Sequence, residues 1–316
     1  MSFSGRVKEE LSYQTGSAMH CRIAETAAIL SMCGHVFREK EGNVSIKVQT
    51  ENLAVARKYF TLLKKTYNIE CDISIRHHIH TGKSRTYILD VTDDYAARKI
   101  LSSVKFMNGD GEIEENYAIV HSMILRMSCC KRAFLRGLFL CAGSISEPEK
   151  TYHFEIVCTT PEKARQICDM MKTFNIDGKC ITRKKYHVVY IKEASQIVDM
   201  LNVMEAHVSL MELENIRILK EMRNSVNRRV NCETANISKT VSAAVKQIED
   251  IRYIRDTVGF SELTDGLREI AGLRLQYPEA SLAELGKLLS IPVGKSGVNH
   301  RLRKLSVLAD ELRSEN

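Results

Sequence analysis

The sequence contains no run of 18 or more apolar residues, and only four of its 316 residues are proline. The first absence argues against a membrane-spanning helix, which needs about 20 mostly apolar residues. Arg6, Lys8 and Arg22 interrupt the first thirty residues, so we expect no secretory signal peptide. No low-complexity tract suggests a disordered tail. The sequence therefore predicts a cytoplasmic globular protein that does not bind membranes, and its length allows two domains.

The ten cysteines form no C-x-x-C pair and no regular framework. This spacing predicts reduced thiols, no disulfides, no metal site and no cofactor. A phosphate-binding glycine-rich loop and a nucleophilic serine motif are also absent. His78 and His80 share one face of a predicted strand, but no third ligand stands at a recognisable spacing. A solvated or DNA-facing hairpin is the interpretation we favour for this segment.

The formal net charge of +7 permits an acidic partner such as nucleic acid without identifying one. Basic residues concentrate in two segments. Residues 217–230 hold five basic residues and one acid, and residues 295–304 hold four basic residues and no acid. Both segments are candidates for phosphate contacts. A solvated helix face is the alternative for either one.

Two segments of the chain repeat one pattern of helices and strands. The apolar runs 24–36 and 132–145 contain Gly34 and Gly143, which are 109 positions apart. Downstream, residues 44–70 parallel residues 153–178. Each copy predicts a glycine-terminated helix, an alternating strand, an amphipathic helix, two further strands and a closing helix.

The segment LRGLFLCAGS at residues 135–144 resembles the nonamer of the LAGLIDADG homing endonucleases. The resemblance implies that two such helices pack side by side at a pseudo-twofold axis, and that two sheets form a saddle for DNA. Ala27, Ala28, Gly137 and Ala142 are small enough for close helix packing.

In those endonucleases, the acid before the terminal glycine of each nonamer binds a catalytic divalent metal. Cys33 and Ala142 occupy these two positions here. Neither side chain suits Mg²⁺, which prefers oxygen ligands. The sequence therefore predicts no catalytic residues, no catalytic metal and no nuclease activity.

Residues 281–312 have the pattern of a helix-turn-helix. Ser281 and Glu284 form a capping box that opens a short helix, and a turn with Pro292 and Gly294 ends it. The apolar face of the first helix is predicted to contain Leu282, Leu285, Leu288 and Leu289. The second helix should begin near Ser296 and bury Val298, Leu302, Leu305 and Ala309. The turn of about six residues is longer than the usual three or four.

The polar residues of the second helix divide into two predicted roles. Residues near the exposed face at its start should reach base edges: Ser296, Asn299, His300 and Arg303. Cations at the sides of this helix, and two in the preceding basic segment, should meet phosphates: Lys295, Arg301, Lys304, Arg228 and Arg229.

The LAGLIDADG-like repeat lacks its metal-binding acids and is combined with two further segments, NRRVNCETANISKT at 227–240 and KSGVNHRLRKL at 295–305. This combination resembles the bacterial WhiA family of DNA-binding regulators along essentially the full length. The resemblance implies a transcription regulator that binds double-stranded DNA at the nucleoid. It also implies a role in sporulation or in cell division and chromosome segregation. Other regulatory proteins are further expected partners.

The predicted fold class is α+β, with a two-repeat LAGLIDADG-like domain followed by an all-α helix-turn-helix domain. We predict four segments: the N-terminal region with the first repeat at 1–105, the second repeat at 128–206, a basic helical linker at 207–230 and the C-terminal DNA-binding domain at 231–316. Two alternatives stay open. One is a protein-interaction hub with secondary DNA contact, and the other is an active endonuclease with unrecognised carboxylates.

Overall fold

The computed structural model describes residues 1–38, 42–77, 85–108, 112–113 and 119–315. The chain forms two compact units, Met1–Lys220 and Glu221–Asn316. Their boundary lies inside the long helix α8, His207–Thr257. The domain boundaries proposed from sequence stay a prediction. His78, His80 and the predicted turn that follows them lie outside the described residues.

The first unit combines seven complete helices with two four-stranded sheets. The helices are α1 Phe3–Tyr13, α2 Met19–Cys33, α3 Leu53–Tyr67, α4 Asp94–Ser103, α5 Ser128–Ala142, α6 Pro161–Lys172 and α7 Ala194–Met204. The strands are β1 Gly34–Arg38, β2 Val44–Thr50, β3 Asp72–His77, β4 Arg85–Val91, β5 Gly143–Ile145, β6 Phe154–Cys158, β7 Lys179–Arg183 and β8 Tyr186–Ile191. The antiparallel strand orders are β1-β2-β4-β3 and β5-β6-β8-β7. The same order in both sheets confirms the repeat.

The two alternating strands follow the hydrophobic pattern of the sequence. Val44, Ile46 and Val48 are buried in β2, and β6 buries Phe154, Ile156 and Cys158 in the same way. The helix after β6 begins at Pro161, whose missing N–H needs no partner in a first turn. These elements, and the mixed helix and strand fold, are as predicted.

The strands β1 and β5 and the helix α1 are absent from the sequence prediction. β1 and β5 begin directly at Gly34 and Gly143, with no turn between helix and strand to mark them. Gly34 has a φ of −86°, so the glycine is not a left-handed cap. It is needed for close approach, because a Cβ there would lie 2.5 Å from the Leu30 carbonyl oxygen.

Helices α2 and α5 form the most extensive helix pair of the unit. Their backbones approach closely where Gly137 faces Ala28 and Glu25. A Cβ added to Gly137 would lie 2.8 Å from the Ala28 Cβ and 3.0 Å from the Glu25 carbonyl oxygen. The predicted close packing of small residues is therefore present, and it leaves no space for an additional methyl group.

A buried network of charges crosses this helix pair. The Glu25 carboxylate lies 2.9 Å from Lys58 Nζ and 2.9 Å from Arg136 Nε, and all three side chains are almost fully buried. Arg136 also pairs with the Glu205 carboxylate at 2.6 Å. The positive charges of Lys58 and Arg136 are therefore balanced by the carboxylates of Glu25 and Glu205. Buried charges need such partners to be tolerated. The network ties α2, α3, α5 and the end of α7 into one core.

The second unit contains the remainder of α8, a short 3-10 helix at Phe260–Glu262 and three further helices. These are α9 Asp265–Gln276, α10 Leu282–Leu288 and α11 Lys295–Glu315. Its core includes Ile251, Ile254, Ile270, Leu285, Leu289, Val298, Leu302, Leu305 and Ala309. The prediction that Leu288 belongs to the apolar face of α10 is wrong, because this residue is 47% exposed. None of the described helices in either unit combines the length and apolarity that crossing a membrane requires.

We predict that Gly137→Ala lowers the free energy of unfolding by about 1–3 kcal/mol, because the new methyl group forces α2 and α5 apart. The matched control is Gly5→Ala in α1, where the added Cβ meets mainly the flexible side chain of Met1. The control should be neutral or stabilising by about 0.5–1 kcal/mol. Urea unfolding of the full chain measures both. Equal effects of the two substitutions would contradict close packing at Gly137.

Candidate nucleic-acid interface

The second unit contains a helix-turn-helix made of α10 and α11. The predicted capping box is present: the Ser281 N–H donates to Glu284 Oε2 at 2.8 Å, and the Glu284 N–H donates to Ser281 Oγ at 3.3 Å. The turn folds back on α10, since the Val293 N–H donates to the Gly286 carbonyl oxygen at 3.1 Å. A side chain at position 286 would collide with the Val293 carbonyl oxygen, so a glycine is required there.

Burial of one stripe of α11 sets which side chains face the solvent. Val298, Leu302, Leu305 and Ala309 are at most 1% exposed and pack into the core of the unit. Six of the seven predicted DNA-binding residues of α11 are exposed: Lys295, Ser296, Asn299, His300, Arg303 and Lys304. The first acid in α11 is Asp310, almost three turns beyond His300. The first half of the helix therefore presents a cationic, polar surface.

Arg301 differs from the other predicted contacts because it is only half-exposed and lies beside α9. A Cβ added to Gly266 would be 3.6 Å from the Arg301 guanidinium. Ser290 donates its backbone N–H and hydroxyl to Glu269. These bonds, with a smaller contribution from Arg301, hold the pKa of Glu269 below its ordinary value. Arg301 thus has an acidic neighbour within the unit.

Arg228 and Arg229 are exposed on α8. A groove between α8 and the helix-turn-helix is lined by Lys239 and Thr240 on one side and by Lys295 and Asn299 on the other. Arg228 precedes Lys239 by eleven residues, which is about 16 Å along a helix. The two arginines are therefore about 16 Å along α8 from Lys239, which belongs to the segment of α8 that borders α11.

The C-terminal ends of α2 and α5 meet, as expected for two nonamer helices. Cys33 and Ala142 stand there, and Cys33 hydrogen-bonds to Cys141. This bond and the nearby Lys8 ammonium lower the pKa of Cys33, while the same bond and burial raise the pKa of Cys141. The carboxylate pair of the endonuclease motif is therefore absent at Cys33 and Ala142, and the thiols of Cys33 and Cys141 lie beside the Lys8 amine.

Lys163 brings a second amine to this end of the helices. It is 2% exposed, and its Nζ lies 2.6 Å from Ser31 Oγ and 5.2 Å from the centre of the Phe134 ring. Burial lowers the pKa of Lys163 to about 7. Burial therefore disfavours the ammonium form of Lys163 relative to an exposed lysine.

The N-terminal ends of the same helices hold a group that the sequence analysis missed. His20 and Cys21 from α2 lie beside Cys129 and Cys130 from α5. The expectation of no clustered metal ligands relied on spacing along the chain, which cannot show a group assembled from two helices. The signal was available in the repeat, since His20–Cys129 and Cys21–Cys130 have the same offset of 109 as Gly34–Gly143.

Three family models match the chain in order. They describe the WhiA N-terminal LAGLIDADG-like domain at residues 19–107, the WhiA LAGLIDADG-like domain at 131–223 and the WhiA C-terminal HTH domain at 226–309. The full-length DUF199/WhiA structure from Thermatoga maritima has a similar fold, with a TM-score of 0.59, 24% identity and coverage of 98% of this chain and 99% of that one.

Curated relatives match over the full length. The chain is 57% identical to the "Probable cell division protein WhiA" of Lachnoclostridium phytofermentans, over 99% of this chain and 100% of the relative. It is 44% identical to the protein of that name from Alkaliphilus metalliredigens, over 100% of both. The resemblance inferred from sequence is confirmed, and the chain belongs to the WhiA family.

Proposed function

We propose that this protein is a sequence-specific regulator that binds double-stranded DNA through the first half of α11, without cleaving it. The observation that carries the proposal is the division of α11 into a buried apolar stripe and an exposed polar face with no acid between Lys295 and Lys304. Among the described residues, no carboxylate forms an ion pair with Lys295, Arg303 or Lys304. These charges are therefore available to phosphates and base edges.

The proposed base-contacting residues are Ser296, Asn299, His300 and Arg303. Arginine suits the O6 and N7 acceptors of guanine, and asparagine suits the N6 and N7 atoms of adenine. These residues occupy the N-terminal half of the second helix, which is the part that enters the major groove in helix-turn-helix proteins. Their exposure on one side of α11 supports a shared role.

The proposed phosphate contacts are Lys295, Lys304, Arg301, Arg228 and Arg229. Lys295 and Lys304 border the exposed face of α11 and are the best placed of the five. Arg301 has to give up part of its interaction with Glu269 to reach a phosphate. Arg228 and Arg229 would extend the footprint along the DNA from α8.

The biological role is proposed from the family. Relatives are named probable cell division proteins, so we infer action in cell division and chromosome segregation, or in sporulation, through transcription control at the nucleoid. A cytoplasmic location follows from that role. Binding of other regulatory proteins is compatible with it.

The proposed absence of nuclease activity is supported by the C-terminal ends of α2 and α5. Cys33 and Ala142 offer no oxygen ligand for Mg²⁺. Lys8 and Lys163 place amines beside these positions, and burial lowers the pKa of both amines. Within the part of the chain that the structure describes, the one close group of three or more His, Cys, Asp or Glu side chains is at the opposite end of the helices.

We predict that Arg303→Ala reduces discrimination between a specific site and random DNA by about 1–3 kcal/mol, because a base contact is lost. Lys304→Ala should weaken binding to both DNAs and reduce the salt slope by about 1. The control is Arg255→Ala, which removes the same charge at an exposed position near the end of α8, outside the proposed contacts. Genome-wide crosslinking supplies the site, and fluorescence anisotropy of the full chain at several salt concentrations supplies the affinities.

The same measurement tests the rival surface formed by the two sheets. Arg183 at the end of β7 and Lys185 before β8 are exposed on that surface. If Arg183→Ala and Lys185→Ala abolish affinity while Arg303→Ala and Lys304→Ala change nothing, the helix-turn-helix assignment is wrong.

We predict no cleavage of plasmid or specific-site DNA with Mg²⁺ or Mn²⁺, because both metal-binding positions lack oxygen ligands. Ala142→Asp alone should not restore cutting, since Cys33 and the two amines remain. Gel analysis of supercoiled plasmid carrying the mapped site measures this. Double-strand cutting by the purified protein that EDTA abolishes would contradict the proposal.

A further inference from the structure

Four side chains converge at the N-terminal ends of α2 and α5. His20 Nδ1 lies 3.2 Å from Cys130 Sγ, 3.3 Å from Cys21 Sγ and 3.9 Å from Cys129 Sγ. All four ligand atoms lie within 4.8 Å of one another. Three sulfurs and one imidazole nitrogen thus lie close together where the two repeats meet.

The spacing suits a tetrahedral zinc ion. Zn–S bonds of about 2.3 Å and Zn–N bonds of about 2.0–2.1 Å place the nitrogen and each sulfur roughly 3.5 Å apart at the tetrahedral angle. The three N···S distances lie on both sides of this value. A set of three cysteines and one histidine is also a common ligand set of closed, structural zinc sites.

The repeat supplies the ligands in equivalent pairs. His20 and Cys129 are the second residues of their helices, and Cys21 and Cys130 are the third. Each pair differs by 109 positions, as Gly34 and Gly143 do. The pseudo-twofold packing of α2 on α5 therefore brings two equivalent dipeptides together, so the cluster follows from the fold and not from one chance contact.

The surroundings suit a closed metal site at two helix N-termini. Neither helix has a side-chain hydrogen bond at its N-cap, Ala18 or Met127. The positive ends of both helix dipoles therefore act on the sulfurs. Cys21 and Cys130 are buried against Ala24 and Ala133, which limits water at the site. His20 is exposed, so one ligand of the group is accessible from solvent.

We propose that His20, Cys21, Cys129 and Cys130 bind one zinc ion that joins the N-terminal ends of the two core helices. The site replaces our sequence-based expectation of no metal. Zinc here has a structural role, since all four positions of its coordination shell are filled by protein. The ion cross-links residues that are 109 positions apart and holds the two repeats in register at the end remote from Cys33 and Ala142.

Binding at this site is linked to proton release. Cysteine binds zinc as the thiolate, so the ion displaces protons from the thiols when it binds, and zinc affinity should rise with pH.

The first test is metal analysis of full-length, tag-free protein purified under reducing conditions without chelator. We expect one zinc per chain in the wild type, and loss of it in Cys21→Ser and Cys130→Ser. Cys180→Ser is the matched control, because Cys180 is exposed on β7 and outside the cluster. It should keep its zinc. Zinc well below one per chain in the wild type, or undiminished in both cluster variants, would overturn the proposal.

The second test starts from the wild-type protein and adds one variant at an exposed residue. Co²⁺ added to metal-stripped wild-type protein should produce the visible bands of a tetrahedral site and a thiolate-to-metal charge-transfer band. His20→Ala, a change at an exposed residue, should weaken Co²⁺ binding by more than about tenfold while the circular dichroism spectrum stays native. Octahedral Co²⁺ spectra, or a Cys21–Cys130 disulfide in protein from a reducing cytosol, would contradict the site.

Discussion

The close packing of α2 on α5 is the constraint on which the rest of the first unit depends. Gly137 allows the two backbones to approach at Ala28, and the buried Glu25 carboxylate holds Lys58 and Arg136 across the same interface. Loss of one member of such a buried network typically costs about 3–5 kcal/mol. Because the helices lie side by side, residues at equivalent positions of the two repeats meet at both ends. The residue types at those ends then decide which chemistry the scaffold can support. Cys33 and Ala142 stand where an endonuclease needs carboxylates, with the amines of Lys8 and Lys163 nearby, and a Cys₃His group stands at the opposite end.

In the second unit, core packing likewise decides which residues come together, and here it orients the polar face of α11. Burial of Val298, Leu302 and Leu305 fixes the rotation of α11 about its own axis. The polar residues between them must then face the solvent as one surface. The capping box of α10 and the required glycine at position 286 set where the turn runs. The DNA contact that we propose for α11 therefore depends on the core packing behind the exposed side chains.

Local patterns predicted much of this architecture. Alternation in β2 and β6, the capping box at Ser281 and the helical stripe of α11 depend on neighbours in the sequence, and each is present. The features that escaped prediction depend on distant residues. β1 and β5 are short and form only by pairing with β2 and β6, and Leu288 lies at the end of a seven-residue helix where its neighbours do not cover it. The group of His20, Cys21, Cys129 and Cys130 exists only because the two repeats pack together. Comparison of the repeats at a common offset was the one route to it from sequence.

On the proposed function, DNA lies against the exposed face of α11. Site-specific photocrosslinking tests it most directly, with a photoreactive residue placed at position 299 in α11, at position 181 in β7 or at position 252 in α8 of the full chain. The DNA probe carries the mapped site. We expect a covalent adduct from position 299 that competitor DNA with the specific site removes, and none from position 252. Adducts formed from position 181 and not from position 299 would contradict it.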